Sequence, residues 1–336
     1  YVTLKRMLAL CTAICALTES APAASADDPG PVSTYNISFA NATALPLDRI
    51  AGIVSRVTER VEIFSYGTYR PDFYLWGVRD PVFYRTYVDR LGRTRFYCDW
   101  FRARRNEEWP RPPGIGWPQD PRDMILEFHP GCAFFPGRQQ AKGVGGWYKA
   151  IIWSAQFRTT LHEFMHMLGF AHDGRLTCGV TWCNNFEYGS PYSVMGGRDT
   201  LRHPHAHSKA ERGWLSIESG SVIDVTESRT VTLTEYTRRE GVRAARIFAP
   251  PPGEYETLRG LDQWRKVWPI WLEYRLLEGD EAPRLTEKNP PRPGVVVTVA
   301  SRWLVTLDVG QTFRAGSIIV ERLPDQEGQA VVQVSR

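Results

Sequence analysis

The chain lacks a concentrated run of basic residues: 41 Lys and Arg stand against 37 Asp and Glu in 336 residues, a formal net charge of +4. Binding to nucleic acid or to an anionic membrane surface is therefore not indicated. It has no C-x-x-C pair, so clamping of a structural metal by thiolates has no local signature. It has no apolar run long enough to span a bilayer comfortably, the longest being Met7 to Leu17. Nor is there an internal repeat of roughly 20 to 50 residues or a low-complexity tract, which excludes solenoids and arrays. Proline clusters at Pro250 to Pro252 and Pro290 to Pro293 read as loops.

What the chain does have is ample apolar material, 43% hydrophobic and 12% aromatic residues, in a length that suits two ordinary domains. Lys5-Arg6 precede the Met7 to Leu17 run, and small residues ending Ala24-Ser25-Ala26 follow it. That order predicts a cleavable secretory signal over residues 1–26, a secreted or periplasmic location, and no stable membrane association after cleavage. The first residue is Tyr1 and not Met, so the chain reads as a fragment or as one begun at a misread codon. Cys11 and Cys15 fall in the signal, leaving Cys98, Cys132, Cys178 and Cys183. An even set in an exported chain predicts two disulfides, for which the pairing Cys98 with Cys132 and Cys178 with Cys183 is favoured.

Residues 27–45, rich in Ala, Pro, Ser and Asn, read as a linker or short pro-segment, with glycosylation sequons at Asn36 and Asn41 for a eukaryotic host. Apolar residues at helical spacing predict a helix from Leu47 to Phe64, ended by Gly67. Tyr74 to Val78, Arg95 to Phe101, Met124 to Phe128 and Trp147 to Trp153 read as strands, the last leading into a helix that begins near Ala155. A short helix is expected from about His205 to Arg212. After about residue 218 the texture changes to short alternating segments typical of an all-β region, including Thr230 to Thr234, Ala245 to Phe248, Pro269 to Leu277, Val295 to Ala300 and Ser317 to Leu323.

Histidine is scarce, 7 in 336, yet His162, His166 and His172 fall in one pattern, H-E-x-x-H-x-x-G-x-x-H. Chance occurrence of that pattern in this composition is on the order of 10⁻⁵. Residues four apart share a helix face, so His162 and His166 reach one tetrahedral ion. A continuous helix would carry His172 away. Gly169 supplies the left-handed turn that ends the helix and returns His172 to the ion. Three neutral ligands leave the fourth position of one catalytic Zn²⁺ open, and Glu163 stands beside it as general base. The apolar flanks Phe164, Met165, Met167, Leu168 and Phe170 imply burial, and buried imidazoles need partners or a metal.

Downstream, Tyr188-Gly189-Ser190-Pro191-Tyr192-Ser193-Val194-Met195-Gly196-Gly197 places a methionine in a Gly-rich turn. The zinc pattern and this turn resemble the metzincins, and with Gly131-Cys132-Ala133 and Ala206 to Lys209 leading into Gly213-Trp214-Leu215 they resemble the gametolysin family of metallopeptidases, more distantly immune inhibitor A. Trp271 to Arg275 and Leu307 to Phe313 look like strands of the β domain that follows the protease in such proteins. The resemblance spans roughly residues 45 to 325. It implies an α+β fold: a metzincin-type catalytic domain of mixed sheet and helices over 46–217, then a smaller all-β sandwich-like domain over 218–336. It implies that Met195 packs beneath the metal without ligating it, and that the substrate is extracellular protein, cell-wall glycoprotein or peptide, cut by a zinc endopeptidase taken to be monomeric. The rival expectation is a non-catalytic, zinc-stabilised adhesion or binding protein.

Two departures from the family pattern stand out. Phe164-Met165-His166-Met167 replaces the usual Leu-Gly-His-Asn surroundings of the second histidine, a change of packing. No tyrosine follows Met195 by two residues; Gly197 stands there, so transition-state support is expected from zinc and backbone groups. His203, His205 and His207 are expected to be solvated or capping residues of a short helix. Asp173 is expected to orient its loop without ligating, and Trp271 to belong to a core, along with Trp264 and Trp268.

Overall fold

In the computed structural model of the chain, the residues described are 34–40, 47–79, 84–88, 94–98, 124–128, 138–143, 146–152, 156–178, 183–196, 200–248, 269–283 and 290–336. The secondary structure is mixed α and β, mostly sheet with few helices.

Helix α1 (Leu47–Phe64) forms as its spacing predicts, burying Ile50, Ile53, Val54, Val57, Val61 and Phe64 along one stripe while Arg49, Arg56 and Glu59 stay outside or at the margin. Each fully buried aliphatic or aromatic side chain of that kind contributes roughly 1.5–3 kcal/mol. The helix stops where Tyr66 and Gly67 both take positive φ, and the Gly67 N–H closes back on the Glu62 carbonyl. Before and after α1 run β1 (Thr34–Ala40) and β2 (Asp72–Arg79), which pair in parallel, as a helical crossover allows. β1 falls in the stretch expected to be linker. Tyr35, Ile37 and Phe39 alternate through it, a strand signature that the linker reading passed over, and its partners β2 and β5 (Met124–Phe128) are distant in sequence.

With β6 (Arg138–Gly143) and β7 (Gly146–Ile152) these strands make a five-stranded sheet, order β2-β1-β5-β7-β6, parallel except for β6. A separate hairpin pairs β3 (Tyr84–Val88) with β4 (Thr94–Cys98). After β7 comes helix α2 (Phe157–Met167), whose Leu161, Phe164, Met165 and Met167 share one core with the buried stripe of α1, Ile152 and Met195. Phe164 lies 5.1 Å from Phe73, ring to ring.

The second sheet has seven strands: β10 (Val222–Val225), β12 (Ala244–Ile247), β13 (Ile270–Arg275), β14 (Gly294–Val299), β15 (Arg302–Leu307), β8 (Gly174–Cys178) and β9 (Cys183–Phe186), in that order. A four-stranded antiparallel sheet of β11 (Arg229–Leu233), β18 (Gln329–Ser335), β17 (Ile318–Gln326) and β16 (Thr312–Ala315) packs against it. Val225, Ile247, Leu272, Val295, Val297 and Leu307 from one sheet meet Val231, Leu233, Ile318, Val320, Val332 and Val334 from the other. The stretch Leu307 to Phe313, expected as one strand, instead holds the end of β15, a turn over 308–311 and the start of β16. Gly310 has φ 80° there, and the Gln311 N–H bonds to the Asp308 carbonyl.

Strand β13 is buried along its whole length. Alternation sends Ile270, Leu272 and Tyr274 into the core between the sheets and Trp271, Glu273 and Arg275 to the other face. Trp271 is core, as expected; Trp264 and Trp268 lie outside the described residues. On that second face rests the short helix α3 (Ala206–Glu211). Strands on both sides of residue 217 thus share one sheet, and Ser33–Arg336 form one compact unit.

Candidate metal centre

Helix α2 ends in a Schellman turn. Gly169, at φ 86°, donates to the His166 carbonyl, and Phe170 donates to that of Met165. Phe170 and Met165 both lie in the core, the apolar contact that accompanies this motif. The left-handed glycine therefore acts as expected and redirects the chain, bringing His172 back to the helix face that carries His162 and His166.

The three imidazole rings lie 4.8 Å (His162 to His166), 5.4 Å (His162 to His172) and 4.4 Å (His166 to His172) apart, centre to centre. Their candidate ligand atoms all lie within 4.8 Å of one another, a cluster able to hold a metal ion. A tetrahedral ion bound at about 2.0–2.1 Å sets its ligand atoms about 3.3 Å apart, so the cluster fits with small adjustments.

The outer nitrogens decide the tautomers. Nδ1 of His162 lies 2.9 Å from the Val194 carbonyl, Nδ1 of His166 lies 2.7 Å from the Phe170 carbonyl, and Nδ1 of His172 lies 2.7 Å from a Glu187 carboxylate oxygen. Carbonyls and carboxylates only accept, so each Nδ1 carries a proton and Nε2 is the atom turned to the site. Nε2 of His166 and Nε2 of His172 then face each other at 2.8 Å. A contact that close needs either a shared proton or a metal ion between the two nitrogens, and the convergence of the three rings suits the site to a metal. Burial, reinforced by His162 and His172 and opposed by the Phe170 carbonyl, pushes His166 down to about 3, so it offers a neutral ligand at physiological pH.

Glu163 sits on α2 between the two helical ligands, 8% exposed, and burial lifts its carboxyl from 4.5 to about 7. A carboxylate with that affinity for protons is matched to base chemistry near neutral pH. Met195 is fully buried in the core with Leu161, Met165 and Phe170. Its turn is tied to the third histidine: the Asp173 N–H donates to the Met195 carbonyl, and the Met195 N–H donates to Ser193 Oγ, which itself donates to the Asp173 carboxylate. A Cβ on Gly196 would lie 2.1 Å from the Ser190 carbonyl oxygen, so only glycine fits there. Asp173 is fully buried and orients this loop, as expected, also accepting from the His205 N–H at 3.4 Å and Ser208 Oγ at 3.3 Å.

Cys178 and Cys183 form a disulfide across the β8–β9 hairpin that leads to Glu187. The pairing of Cys98 with Cys132 lies outside the described residues. Of His203, His205 and His207, expected to be solvated or capping, His205 does stand at the N-cap of α3, without a side-chain cap bond, but none is solvated: they are 2%, 0% and 8% exposed. The physical reason is the second face of β13, which covers them. Residues that sequence reasoning missed are Glu187, Arg302, whose guanidinium donates to the His172 carbonyl, and Tyr188, whose ring centre is 3.9 Å from that of His172. Tyr188 was visible only as part of the Gly-rich block; Glu187 and Arg302 carry no local signal at all. No family model, curated protein or solved structure matches the chain.

Proposed function

We propose that the chain is an exported zinc-dependent endopeptidase of gametolysin-like, metzincin type, with His162, His166 and His172 as zinc ligands, Glu163 as general base and Met195 as the floor of the site. The observation that carries the reading is the convergence of the three imidazoles, with the Nε2 atoms of His166 and His172 turned toward each other while all three Nδ1 atoms are held by acceptors. A zinc ion held there would supply a Lewis acid for the scissile carbonyl and would lower the pKa of a bound water toward about 7.

The chain's own residues do the rest. His162, His166 and His172 hold their rings fixed through the Val194 and Phe170 carbonyls and Glu187. Glu163 accepts the proton of the attacking water at a carboxylate oxygen and returns it to the leaving amine. The apolar wall of Leu161, Met165, Phe170 and Met195 keeps bulk water from the inner side of the ligands. On this reading residues 1–26 are a signal, 46–217 carry the catalytic body, 218–336 form a β-sandwich-like region, and Cys98 pairs with Cys132. The substrate is extracellular protein, cell-wall glycoprotein or peptide.

The full chain, made in an oxidising compartment, should carry one zinc and cleave casein or gelatin, with cleavage abolished by chelator. Glu163→Gln should keep the zinc and lose at least about 10²-fold in kcat. Equal cleavage by this variant and the wild type removes the mechanism, and zinc without any cleavage by the wild type favours the adhesion or binding reading.

A further inference from the structure

Ser190, His205 and Glu273 form a line of hydrogen bonds in the interior. Ser190 Oγ lies 2.8 Å from His205 Nε2, and His205 Nδ1 lies 3.2 Å from Glu273 Oε1. The atoms are those of a nucleophilic triad, but the three residues are 1%, 0% and 0% exposed, so no substrate reaches the hydroxyl. The line instead joins two places. One end is β13, where the Glu273 carboxylate also accepts from Arg275 at 2.7 and 2.9 Å and from the Ala206 N–H at 2.6 Å. The other end is the loop of the metal centre: the Ser190 N–H donates to the carbonyl of Asp173, the neighbour of His172, and Ser190 Oγ accepts from the Tyr192 N–H.

A second arm runs parallel. Arg275 Nη1 donates to the Tyr192 carbonyl at 2.9 Å and to the His203 carbonyl at 3.2 Å. Tyr192 and Ser193 lead directly into Val194, whose carbonyl orients His162, and Met195. Burial raises the Glu273 carboxyl, but Arg275 and His205 outweigh it and hold the group down at about 2, so the acceptor end of the line stays ionised. A fully desolvated ion pair with both arms hydrogen-bonded has one geometry, and that geometry is transmitted to the two loops it touches.

We infer that Glu273 and Arg275, acting through His205 and Ser190, are positioning residues for the metal centre, so that a strand far downstream sets the orientation of His162 and His172. The inference rests on the zinc reading above and extends it to residues that touch neither metal nor substrate.

The test uses the full chain stripped with chelator, titrated with Zn²⁺ alone against a competing chelator and with Co²⁺ for its visible absorption. Ser190→Ala leaves the ion pair intact but removes the link to the loop; Glu273→Gln breaks the link at its root. Val332→Ala, in the core between the sheets, is a control that lowers thermal stability without touching the line. The relay variants should bind Zn²⁺ about 10- to 100-fold more weakly and shift the Co²⁺ spectrum, as loss of supporting hydrogen bonds around ligands does. Val332→Ala should lower the melting temperature and leave both readouts unchanged. If Glu273→Gln fails to fold, Ser190→Ala decides alone. Wild-type affinity and spectrum in Ser190→Ala, or equal losses in the control, overturn the inference while leaving the zinc reading intact; a wild type that takes up no metal overturns both.

Discussion

Glu163 and His166 sit on the same buried helix face, and burial moves both toward neutrality, which gives them opposite effects on stability with pH. For His166, held down at about 3, the folded metal-free protein refuses a proton that the unfolded chain accepts below about 6.5. Its contribution is present above that value and lost as pH falls toward 3. For Glu163, lifted to about 7, the folded protein keeps a proton that the unfolded chain releases above about 4.5. Its contribution is present below 4.5 and lost as pH rises through 7. Glu163→Gln cannot ionise, so in chelator it should exceed the wild type in stability at pH 8 by up to roughly 3 kcal/mol. At pH 4 the two should unfold alike. Denaturant unfolding at the two pH values measures the gap, and a gap that does not widen with pH contradicts the buried carboxyl.

At the scale of elements, the metal centre depends on how α2 stops. Gly169 has φ 86°, and a Cβ there would lie 2.5 Å from the Arg212 guanidinium, which donates to the Gly169 carbonyl. Gly169→Ala should cost about 1–2 kcal/mol in the metal-free protein, from the left-handed backbone alone. Because the next carbonyl, that of Phe170, orients His166, the variant should also bind zinc more weakly. Unchanged melting temperature and unchanged zinc affinity would contradict this account of the turn. The elements that were legible in sequence are those whose cause is local. The 3.6-residue apolar period outlines α1, and the spacing of His162, His166, Gly169 and His172 is itself the geometry of a helix end. Strand β1 shows a local alternation in Tyr35, Ile37 and Phe39, but its place in the sheet was not legible, because Thr34 to Ala40 pairs in parallel with segments far along the chain. The burial of His203, His205 and His207 was hidden for the same reason: the face that covers them is made by Trp271, Glu273 and Arg275, more than sixty residues downstream by sequence number.

For the molecule as a whole, the change of texture near residue 217 marks a change of secondary structure while the packing runs through it. β8, just after the third ligand, pairs with β15, and the Arg302 guanidinium and Ser301 hydroxyl, which open β15, donate to the His172 carbonyl. Arg202 adds a further link, donating to the Glu281 and Ala282 carbonyls at 2.7 and 3.1 Å. Ending the chain at residue 217 removes these partners and leaves Arg202, His203, His205 and Lys209, all buried in the full chain, facing solvent. The shortened chain is expected to be insoluble or to take up no zinc; a soluble fragment with full zinc affinity would contradict a centre built from both halves. No helix among the described residues is long and apolar enough to cross a membrane.

The central claim is that three imidazoles, each through Nε2, hold one ion and leave one position to solvent. X-ray absorption at the zinc edge of the reconstituted full chain reads this directly. The account predicts one zinc per chain, three imidazole nitrogens at about 2.0–2.1 Å and one further light-atom ligand exchangeable with small anions. A sulfur ligand, a fourth protein side chain that no anion displaces, or no bound zinc at all would contradict it.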